Sequence, residues 1–289
     1  MKGIIIKNQN GYFSIFDNDQ KIHLSRSRGR LKRKTNILVG DKVSYELTDR
    51  GDATIISVFP RRTLLSRPPV ANVDQLVITV SIQSPDINLY ILDKMLLLAE
   101  DAGIYPLICI NKSDLDWITA GKIAEIYRNA GYVAICVSAA ARAGIDSLRE
   151  HITGRIVAFS GPSGVGKSSL LNCLLGSSNF EEGEISTKTG RGKNTTRHAE
   201  LISFSKHSFL MDTPGYTSLS LEHIDLNQVG DLFPEFQKYL GQCRFHDCRH
   251  IKEPDCAVRE ALGKGNIAMS RWRSYCQVLE EIQESVHRY

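Results

Sequence analysis

The 289-residue sequence has no long hydrophobic run. Its first residues, MKGIIIK, place only three consecutive isoleucines between lysines, whereas a helix that crosses a bilayer needs roughly eighteen or more apolar residues. The sequence also has no internal repeat and no long low-complexity tract. These absences argue against a membrane-spanning protein and a repeat array. We therefore expect a globular, cytoplasmic monomer without a membrane partner.

Acidic residues are absent from Lys21 to Gly40. The net charge of +4 is too small to indicate a nucleic-acid partner by itself, but basic residues are dense in this segment. The run is either a solvated loop or a surface that follows the phosphates of RNA. Its six basic residues, within nine positions, are Arg26, Arg28, Arg30, Lys32, Arg33 and Lys34.

Residues 1–65 contain five short apolar or alternating runs separated by turn-forming residues. Five short strands in this length predict a small β-barrel of the OB-fold type, a class that binds RNA. Pro68 and Pro69 should resist both helix and sheet, so they mark a domain boundary. The runs are GIIIK, GYFSIFD, KIHLS, KVSYEL and ATIISVF.

Strand-like and helix-like segments alternate from Val73 onward. This alternation predicts a mainly parallel sheet with helices on both faces, in a central α/β domain over residues 66–222. Residues 223–289 are mainly helical, and Tyr275, Val278, Leu279 and Ile282 share one helical face. The predicted fold is therefore multidomain: barrel, α/β domain and helical domain.

A phosphate-binding loop follows the predicted strand RIVAFS and precedes the predicted helix KSSLLNCLLG. Its pattern, G-x-x-x-x-G-K-[ST], lets backbone N–H groups surround phosphate oxygens. Lys167 should neutralise the terminal phosphates and Ser168 should bind Mg²⁺. The residues expected around the phosphates are Gly161, Pro162, Ser163, Gly164, Val165, Gly166, Lys167, Ser168 and Ser169.

A guanine-reading signature, N-K-x-D, directly follows the apolar strand YPLICI, some fifty residues before that loop. The Asp114 carboxylate can accept two hydrogen bonds from guanine, and adenine has no such pair of donors. Asn111 should brace this segment and Lys112 should lie over the base. Ser138 and Ala139 end the next strand, where GTPases contact the guanine oxygen. The full motif comprises Asn111, Lys112, Ser113 and Asp114.

A D-x-x-G motif follows the predicted strand SFLMD. Asp212 should hold Mg²⁺ through water, Gly215 should sense the terminal phosphate, and Thr195 or Thr196 in the preceding polar segment should close on the metal. The motifs therefore occur as base reader, phosphate loop, threonine switch and D-x-x-G, a rotation of the usual GTPase order. We interpret the α/β domain as circularly permuted.

Three of the seven cysteines crowd with histidines into fourteen residues. The spacing Cys243-x4-Cys248-x-His250-x5-Cys256 offers three thiolates and one imidazole, a closed tetrahedral set that suits structural zinc. His246 is an alternative fourth ligand, although His250 is preferred.

These motifs together resemble the ribosome small-subunit-dependent GTPases, the RsgA family of circularly permuted GTPases. The resemblance spans nearly the whole chain: the barrel, NKSD, GPSGVGKSS, TKTGRGKNTTRH, DTPGY and the cysteine set. It implies GTP hydrolysis to GDP and phosphate, stimulated by the 30S subunit, in late 30S maturation. It also implies that the barrel and the zinc domain contact 16S rRNA.

The sequence departs from the family pattern at Asn194, where the family often has a histidine proposed to position water. Asn194 is a catalytic candidate, but asparagine can hydrogen-bond water and cannot titrate, so either hydrolysis is slow or another group, such as His198 or rRNA, completes the site. A non-hydrolysing assembly checkpoint remains an alternative that Asn194 favours. An RNA-binding ATPase or kinase is a third reading, which Asp114 opposes.

Overall fold

A computed structural model describes most of the chain. The predicted site residues Asn194, Thr195, Thr196 and Gly215 lie outside the described residues, as does the basic run from Arg28 to Lys34. The described ranges are 1–9, 11–27, 36–48, 52–66, 68–176, 200–212 and 219–286.

The amino-terminal residues form a closed five-stranded barrel, as predicted, with the strand order β1-β2-β3-β5-β4. Strands β3 and β5 pair in parallel, and the other pairs are antiparallel. Side chains alternate between the barrel interior and solvent, so each strand contributes every second residue to the core. The strands are β1 (Lys2–Gln9), β2 (Tyr12–Asp17), β3 (Ile22–Ser27), β4 (Lys42–Leu47) and β5 (Ala53–Val58).

The barrel core consists of buried aliphatic and aromatic side chains, each at most 7% exposed. Burial of each aliphatic or aromatic side chain contributes roughly 1.5–3 kcal/mol, which makes this layer the main source of barrel stability. Its members are Ile5, Phe13, Ile15, Ile37, Val43, Tyr45, Ala53 and Ile55.

A short hairpin follows the barrel, formed by β6 (Leu64–Ser66) and β7 (Pro69–Ala71). The expectation that the paired prolines resist sheet was wrong at this point. Pro69 is the first residue of its strand, a position where the missing N–H removes no essential ladder bond. Asn72 then fastens the hairpin to the barrel, because its side-chain amide donates to the Gly40 carbonyl at 2.9 Å.

The central sheet has six strands in the order β10-β9-β8-β11-β13-β12. The pairs β9–β10 and β11–β13 are parallel, and the edge strand β12 is antiparallel to β13. This agrees with the mainly parallel sheet predicted from the alternation. The strands are β8 (Gln75–Ser81), β9 (Tyr105–Asn111), β10 (Val133–Cys136), β11 (Ile156–Ser160), β12 (Ile202–Ser205) and β13 (Ser208–Asp212).

Seven α-helices occur within the described residues, and none of them is long and apolar enough to span a membrane. The helix after N-K-x-D begins at Trp117, four residues before the predicted GKIAEIYRNAG segment, because Asp116 caps it by accepting the Thr119 N–H at 3.0 Å. The helices are α1 (Leu89–Asp101), α2 (Trp117–Asn129), α3 (Ile145–Ile152), α4 (Lys167–Leu175), α5 (Pro234–Gln237), α6 (Ala257–Gly263) and α7 (Met269–Val286).

The chain divides into two compact units, and each unit contains two separate segments. The first unit consists of Met1–Val77 and Ile145–Tyr216. The second unit consists of Ile78–Gly144 and Thr217–Tyr289. The first therefore contains the barrel and the phosphate loop, whereas the second contains the N-K-x-D segment and the cysteine cluster.

Candidate nucleotide and metal sites

The phosphate loop lies in the first unit, between the end of β11 at Ser160 and the start of α4 at Lys167. Gly164 and Gly166 have φ angles of +81° and +90°, which other L-residues rarely adopt. Gly166 caps α4 without a side-chain hydrogen bond. The first N–H groups of the helix are therefore available to phosphate oxygens, and the helix dipole favours an anion there.

Lys167 reaches back over the loop, where its Nζ donates to the carbonyls of Gly161 at 2.8 Å and Pro162 at 2.9 Å. Burial lowers the pKa of Lys167, and the nearby Asp212 carboxylate only partly opposes that effect. A partly buried cation with a lowered pKa gains from an anion placed beside it. The loop thus holds a positive charge ready for a phosphate group.

Asp212 ends β13 next to this loop, because β13 pairs in parallel with β11 and Asp212 is in register with Phe159. Ser168 lies in the first turn of α4. A serine hydroxyl and a carboxylate are hard oxygen ligands of the kind that Mg²⁺ prefers. Three of the remaining predicted phosphate-binding residues, Pro162, Ser163 and Val165, lie in the loop itself, and Ser169 lies in the first turn of α4.

The N-K-x-D segment lies in the second unit, at the carboxyl end of β9. Asn111 is buried, and its Oδ1 accepts the backbone N–H of Ala139 at 3.1 Å. Ser113 is also buried, and its hydroxyl donates to the Ile110 carbonyl at 2.8 Å. These contacts fix the backbone on both sides of Lys112. Asp114 is exposed in the 3₁₀ turn that follows, so its carboxylate is accessible to a ligand.

Lys112 has a left-handed backbone, with φ of 56°, and its Nζ donates to the Ser84 carbonyl. Ser138 lies in the adjacent turn, where its hydroxyl accepts the Ala141 N–H at 3.0 Å. The structure therefore brings N-K-x-D and the Ser138–Ala139 pair together through Asn111. The sequence predicted these two segments as neighbours from their positions at the ends of consecutive strands.

Four potential metal ligands converge in the second unit, and their donor atoms all lie within 4.8 Å of one another. Among the described residues this group contains His250 and not His246. The Cys243 and Cys256 sulfurs are 3.8 Å apart, and the His250 Nδ1 lies 3.5 Å and 3.3 Å from them. The complete group is Cys243, Cys248, His250 and Cys256.

These separations fit a tetrahedral metal. Metal–sulfur bonds of about 2.3 Å give sulfur–sulfur edges of about 3.8 Å. Burial raises the pKa of the Cys248 thiol to about 12, and a divalent cation at the centre would stabilise the thiolate form instead. The donor set and its spacing therefore fit a structural metal ion. No open position is left for a catalytic water, because all four positions have a protein ligand.

Two aromatic side chains of α7 hold the metal-binding segment in place. The Trp272 indole N–H donates to the His250 carbonyl at 3.0 Å, and the Tyr275 hydroxyl donates to the Arg249 carbonyl at 2.9 Å. Tyr275 is only 2% exposed. Its position agrees with the predicted apolar face of this helix, on which Val278, Leu279 and Ile282 are also buried.

A buried ionic cluster in the second unit was not predicted from the sequence. Arg271 on α7 is fully buried, and its guanidinium donates to Glu235 at 2.7 Å and 3.1 Å and to Asp93 at 2.6 Å. Asp93 also accepts from the Tyr127 hydroxyl at 2.8 Å. The cluster thus connects α7 to α1 and α2, the helices on either side of β9 in the sequence. Its members are far apart in the chain, so no local pattern could reveal them.

Two family models match the sequence. The RsgA N-terminal domain model matches residues 2–55, and the RsgA GTPase model matches residues 58–222, which is more than half of the chain. The chain belongs to the RsgA GTPase family. It is therefore a GTP hydrolase, as the motifs predicted.

Relatives of this RsgA GTPase align over nearly its full length. It is 41% identical to the small ribosomal subunit biogenesis GTPase RsgA of Geobacillus thermodenitrificans, an alignment that covers 100% of this chain and 99% of the relative. It is 40% identical to the protein of the same name from Alkaliphilus metalliredigens, with 98% of each chain covered.

Solved structures confirm the fold of the chain. YjeQ from Thermotoga maritima matches with a TM-score of 0.85 and 34% identity, and the match covers 98% of both chains. YloQ, described as a circularly permuted GTPase, matches with a TM-score of 0.83 and 32% identity over 98% of this chain and 95% of its own. The predicted barrel and circularly permuted GTPase domain are thereby confirmed, and the carboxyl-terminal cluster of Cys243, Cys248, His250 and Cys256 could hold a metal ion.

Proposed function

We propose that this GTPase assists late maturation of the small ribosomal subunit in the cytoplasm, and that the 30S particle stimulates its hydrolysis of GTP to GDP and phosphate. The observation that carries the enzymatic part is the phosphate loop, in which Gly164 and Gly166 have positive φ, Lys167 donates to the loop carbonyls and the amino end of α4 has no side-chain cap. The names of the relatives support the ribosomal role.

The phosphates of GTP bind in the proposed site through the loop N–H groups and Lys167. Ser168 and Asp212, the latter through water, would hold a Mg²⁺ ion, which would supply positive charge to the terminal phosphates. Gly215 and either Thr195 or Thr196 respond to the terminal phosphate, and Asn194 orients the attacking water. P-loop chemistry supports the roles of the phosphate-loop, threonine and D-x-x-G residues, whereas the role of Asn194 rests on its ability to hydrogen-bond water. The protein acts by positioning and charge stabilisation, because phosphoryl transfer requires little covalent chemistry from the enzyme.

Guanine selection depends on Asp114 in this proposal. An exposed carboxylate on a fixed 3₁₀ turn can accept from the guanine N1–H and 2-amino groups. Asn111 supports that geometry indirectly, since it ties the turn after β10 to the end of β9. Ser113 and Lys112 complete the wall of the base pocket, together with Ser138 and Ala139.

Zinc is the proposed occupant of the Cys243 cluster. Three thiolates and an imidazole match the ligand preference of Zn²⁺. Metal analysis of protein purified without added metal should give one zinc per chain. The Cys243→Ser variant should lose the metal, whereas Cys276→Ser, a thiol of α7 outside the cluster, should retain it. Retention of zinc by both variants would contradict the assignment.

The barrel is the proposed contact with 16S rRNA. On its surface the Arg26 guanidinium lies 4.3 Å from the centre of the Tyr12 ring, and Ile22 and Leu24 are exposed beside them. Stacked cationic and aromatic groups next to apolar side chains are typical of surfaces that bind unpaired bases. Tyr12→Ala should weaken binding to small-subunit RNA, and Tyr105→Ala, an exposed tyrosine outside the barrel, should not.

A GTPase assay with purified 30S particles tests the proposal as a whole. We expect the protein to act as a monomer. Its rate of GTP hydrolysis should rise with the concentration of 30S particles and should respond little to 50S particles. Equal stimulation by both particles would contradict the ribosomal specificity. Hydrolysis no faster than the protein-free rate at saturating 30S would favour a checkpoint that binds GTP without hydrolysing it.

A further inference from the structure

We propose that the first unit contains a second ligand site, a cleft that binds one phosphorylated nucleoside at the end of the sheet opposite the phosphate loop. The cleft has a volume of about 550 Å³, within the range of about 300–1,000 Å³ typical of small-ligand pockets. This inference rests on the geometry of the cleft and not on the function proposed above.

One wall of the cleft is the outer face of the barrel. Ile4 pairs with Phe16 on one side and with Lys42 on the other, so these three side chains form a row across three strands. Lys2 lies on the same face of β1, two residues before Ile4, with its Nζ 5.3 Å from the centre of the Phe59 ring. This wall therefore combines aromatic rings with two lysines.

The other wall comes from the sheet, where Phe209 and Ile156 lie at the beginnings of β13 and β11. Phe209 packs edge-to-face on Phe16, with ring centres 5.2 Å apart. The strands then run away from the cleft: β11 leads to the phosphate loop and β13 leads to Asp212. The two sites are therefore at opposite ends of the same strands and can be occupied at the same time.

The charges in the cleft favour an anion. Its two carboxylates already have partners: Asp17 accepts from His23 at 2.7 Å and from two backbone N–H groups, and Asp74 accepts from the Ile156 N–H at 2.8 Å and from Arg62. By contrast, neither Lys2 nor Lys42 forms an ion pair with a carboxylate of the described residues. Two lysines without carboxylate partners beside aromatic rings match a ligand that has both a planar ring and a phosphate.

The ligand could be a free mononucleotide or a single nucleotide of an RNA strand, since both present a base and a phosphate. The half-buried Phe59 ring offers an apolar surface to the base. Phe16 and Phe209 are 9% and 1% exposed and shape the cleft by packing on each other. The exposed Lys2 and Lys42 are the groups that meet the phosphate. Base contacts with aromatic rings tolerate different bases, so the cleft should bind uridine and adenosine nucleotides with similar affinity.

Calorimetry on the full-length chain tests the cleft, with the guanine site saturated by Mg²⁺ and GDP. UMP should bind with a stoichiometry of one per chain. Uridine, which lacks the phosphate, and ribose 5-phosphate, which lacks the base, should each bind at least about tenfold more weakly, because each forms only half of the contacts. Failure of UMP and of a uridine hexanucleotide to bind would overturn the proposal.

Variants of the cleft separate this site from non-specific binding. Lys2→Gln combined with Lys42→Gln should weaken binding at least about tenfold, and Phe59→Ala should weaken it independently. Lys21→Gln, on the turn after β2 and outside the cleft, is the matched control and should leave binding unchanged. All four substituted side chains are exposed or half-buried, and a thermal melt would verify that each variant folds. Unchanged binding in the double variant would overturn the proposal.

The source of the nucleotide follows from a comparison of UMP with the uridine hexanucleotide in the same variants. If both bind and both depend on Lys2 and Lys42, a free mononucleotide is sufficient. If only the hexanucleotide binds, and with the same lysine dependence, the ligand is part of an RNA strand. If neither depends on the lysines, the cleft is not a nucleotide site.

Discussion

The two compact units of this GTPase bury positive charge in different ways. In the first unit, burial lowers the pKa of Lys167, and Asp212 only partly opposes the shift. In the second unit, burial would also lower the pKa of Arg271, but Asp93 and Glu235 together raise it well above its ordinary value. The lysine has charge available for a ligand, whereas the charge of the arginine is fully compensated within the protein. A buried cation therefore indicates a binding site only when its partners are incomplete.

Lys167→Met gives the largest expected effect and tests the first half of this comparison. Ribosome-stimulated GTP hydrolysis should fall by a factor on the order of 10³, because the variant loses the charge that faces the terminal phosphates. The free energy of unfolding should change little, since burial already disfavours the charged lysine. Single-turnover hydrolysis and chemical denaturation measure the two quantities. A large loss of stability would contradict the view that this charge is reserved for the ligand.

Arg271→Met tests the second half of the comparison, the buried cation whose charge is compensated within the protein. The substitution leaves Asp93 and Glu235 buried without their cation, so the free energy of unfolding should fall by about 3–5 kcal/mol. Denaturant titration of the full chain measures this loss. Arg273→Met, at an exposed position on the same helix, is the matched control and should change stability by less than about 0.5 kcal/mol.

The Arg271 prediction can be sharpened by removing the carboxylate charges as well. Adding Asp93→Asn and Glu235→Gln to Arg271→Met should recover part of the lost stability, because no uncompensated charge then remains in the interior. No recovery in the triple variant would mean that packing of the arginine stem, and not its charge, accounts for the effect.

Asp114→Asn concerns a functional charge in the second unit. The ratio of activity with GTP to activity with xanthosine triphosphate should fall by a factor on the order of 10² or more, because the variant amide matches the xanthine edge and leaves a guanine donor unpaired. Stability should not change, since Asp114 is exposed. Asp116→Asn, which retains a residue that can cap α2, is the control and should keep guanine preference.

Arg61→Met gives the smallest expected effect. Arg61 is intermediate in type, because it is a partly exposed cation paired with a buried carboxylate. Arg61 pairs with the fully buried Asp41 at 2.8 Å and 2.9 Å, but the arginine side chain is 28% exposed. The hydrogen bonds to Asp41 raise the pKa of Arg61. Because Asp41 also accepts the Leu38 N–H at 2.8 Å, the variant should lose only about 1–2 kcal/mol. A loss as large as that of Arg271→Met would show that exposure of the cation does not determine the cost.

Local patterns in the sequence were sufficient for the nucleotide motifs, the barrel strands and the cysteine cluster. Each of these depends on residues close together in the chain or on strand ends that a parallel sheet must place along one edge. The roles of Asn194, Thr195, Thr196 and Gly215 stay predictions, as do the predicted domain boundaries at residues 65 and 222.

Sequence patterns did not reveal three features, and one of them depends on distant partners. Arg271 lies between Ser270 and Trp272 on an amphipathic helix, a context typical of a surface residue, and its partners Asp93 and Glu235 are 178 and 36 residues away. The β7 strand was missed because Pro69 is unfavourable in most strand positions but acceptable in the first. The early start of α2 was missed because the capping role of Asp116 depends on its contact with the Thr119 N–H, five residues after the end of the N-K-x-D motif.

The discontinuous make-up of both units has a consequence for protein synthesis. Asp93 leaves the ribosome 178 residues before Arg271, which at elongation rates of about 5–20 residues per second corresponds to roughly 10–35 seconds. During this interval the nascent chain contains a helix whose interior carboxylate has no counter-ion. The second unit can therefore reach its final packing only near the end of translation, while the barrel can fold co-translationally much earlier.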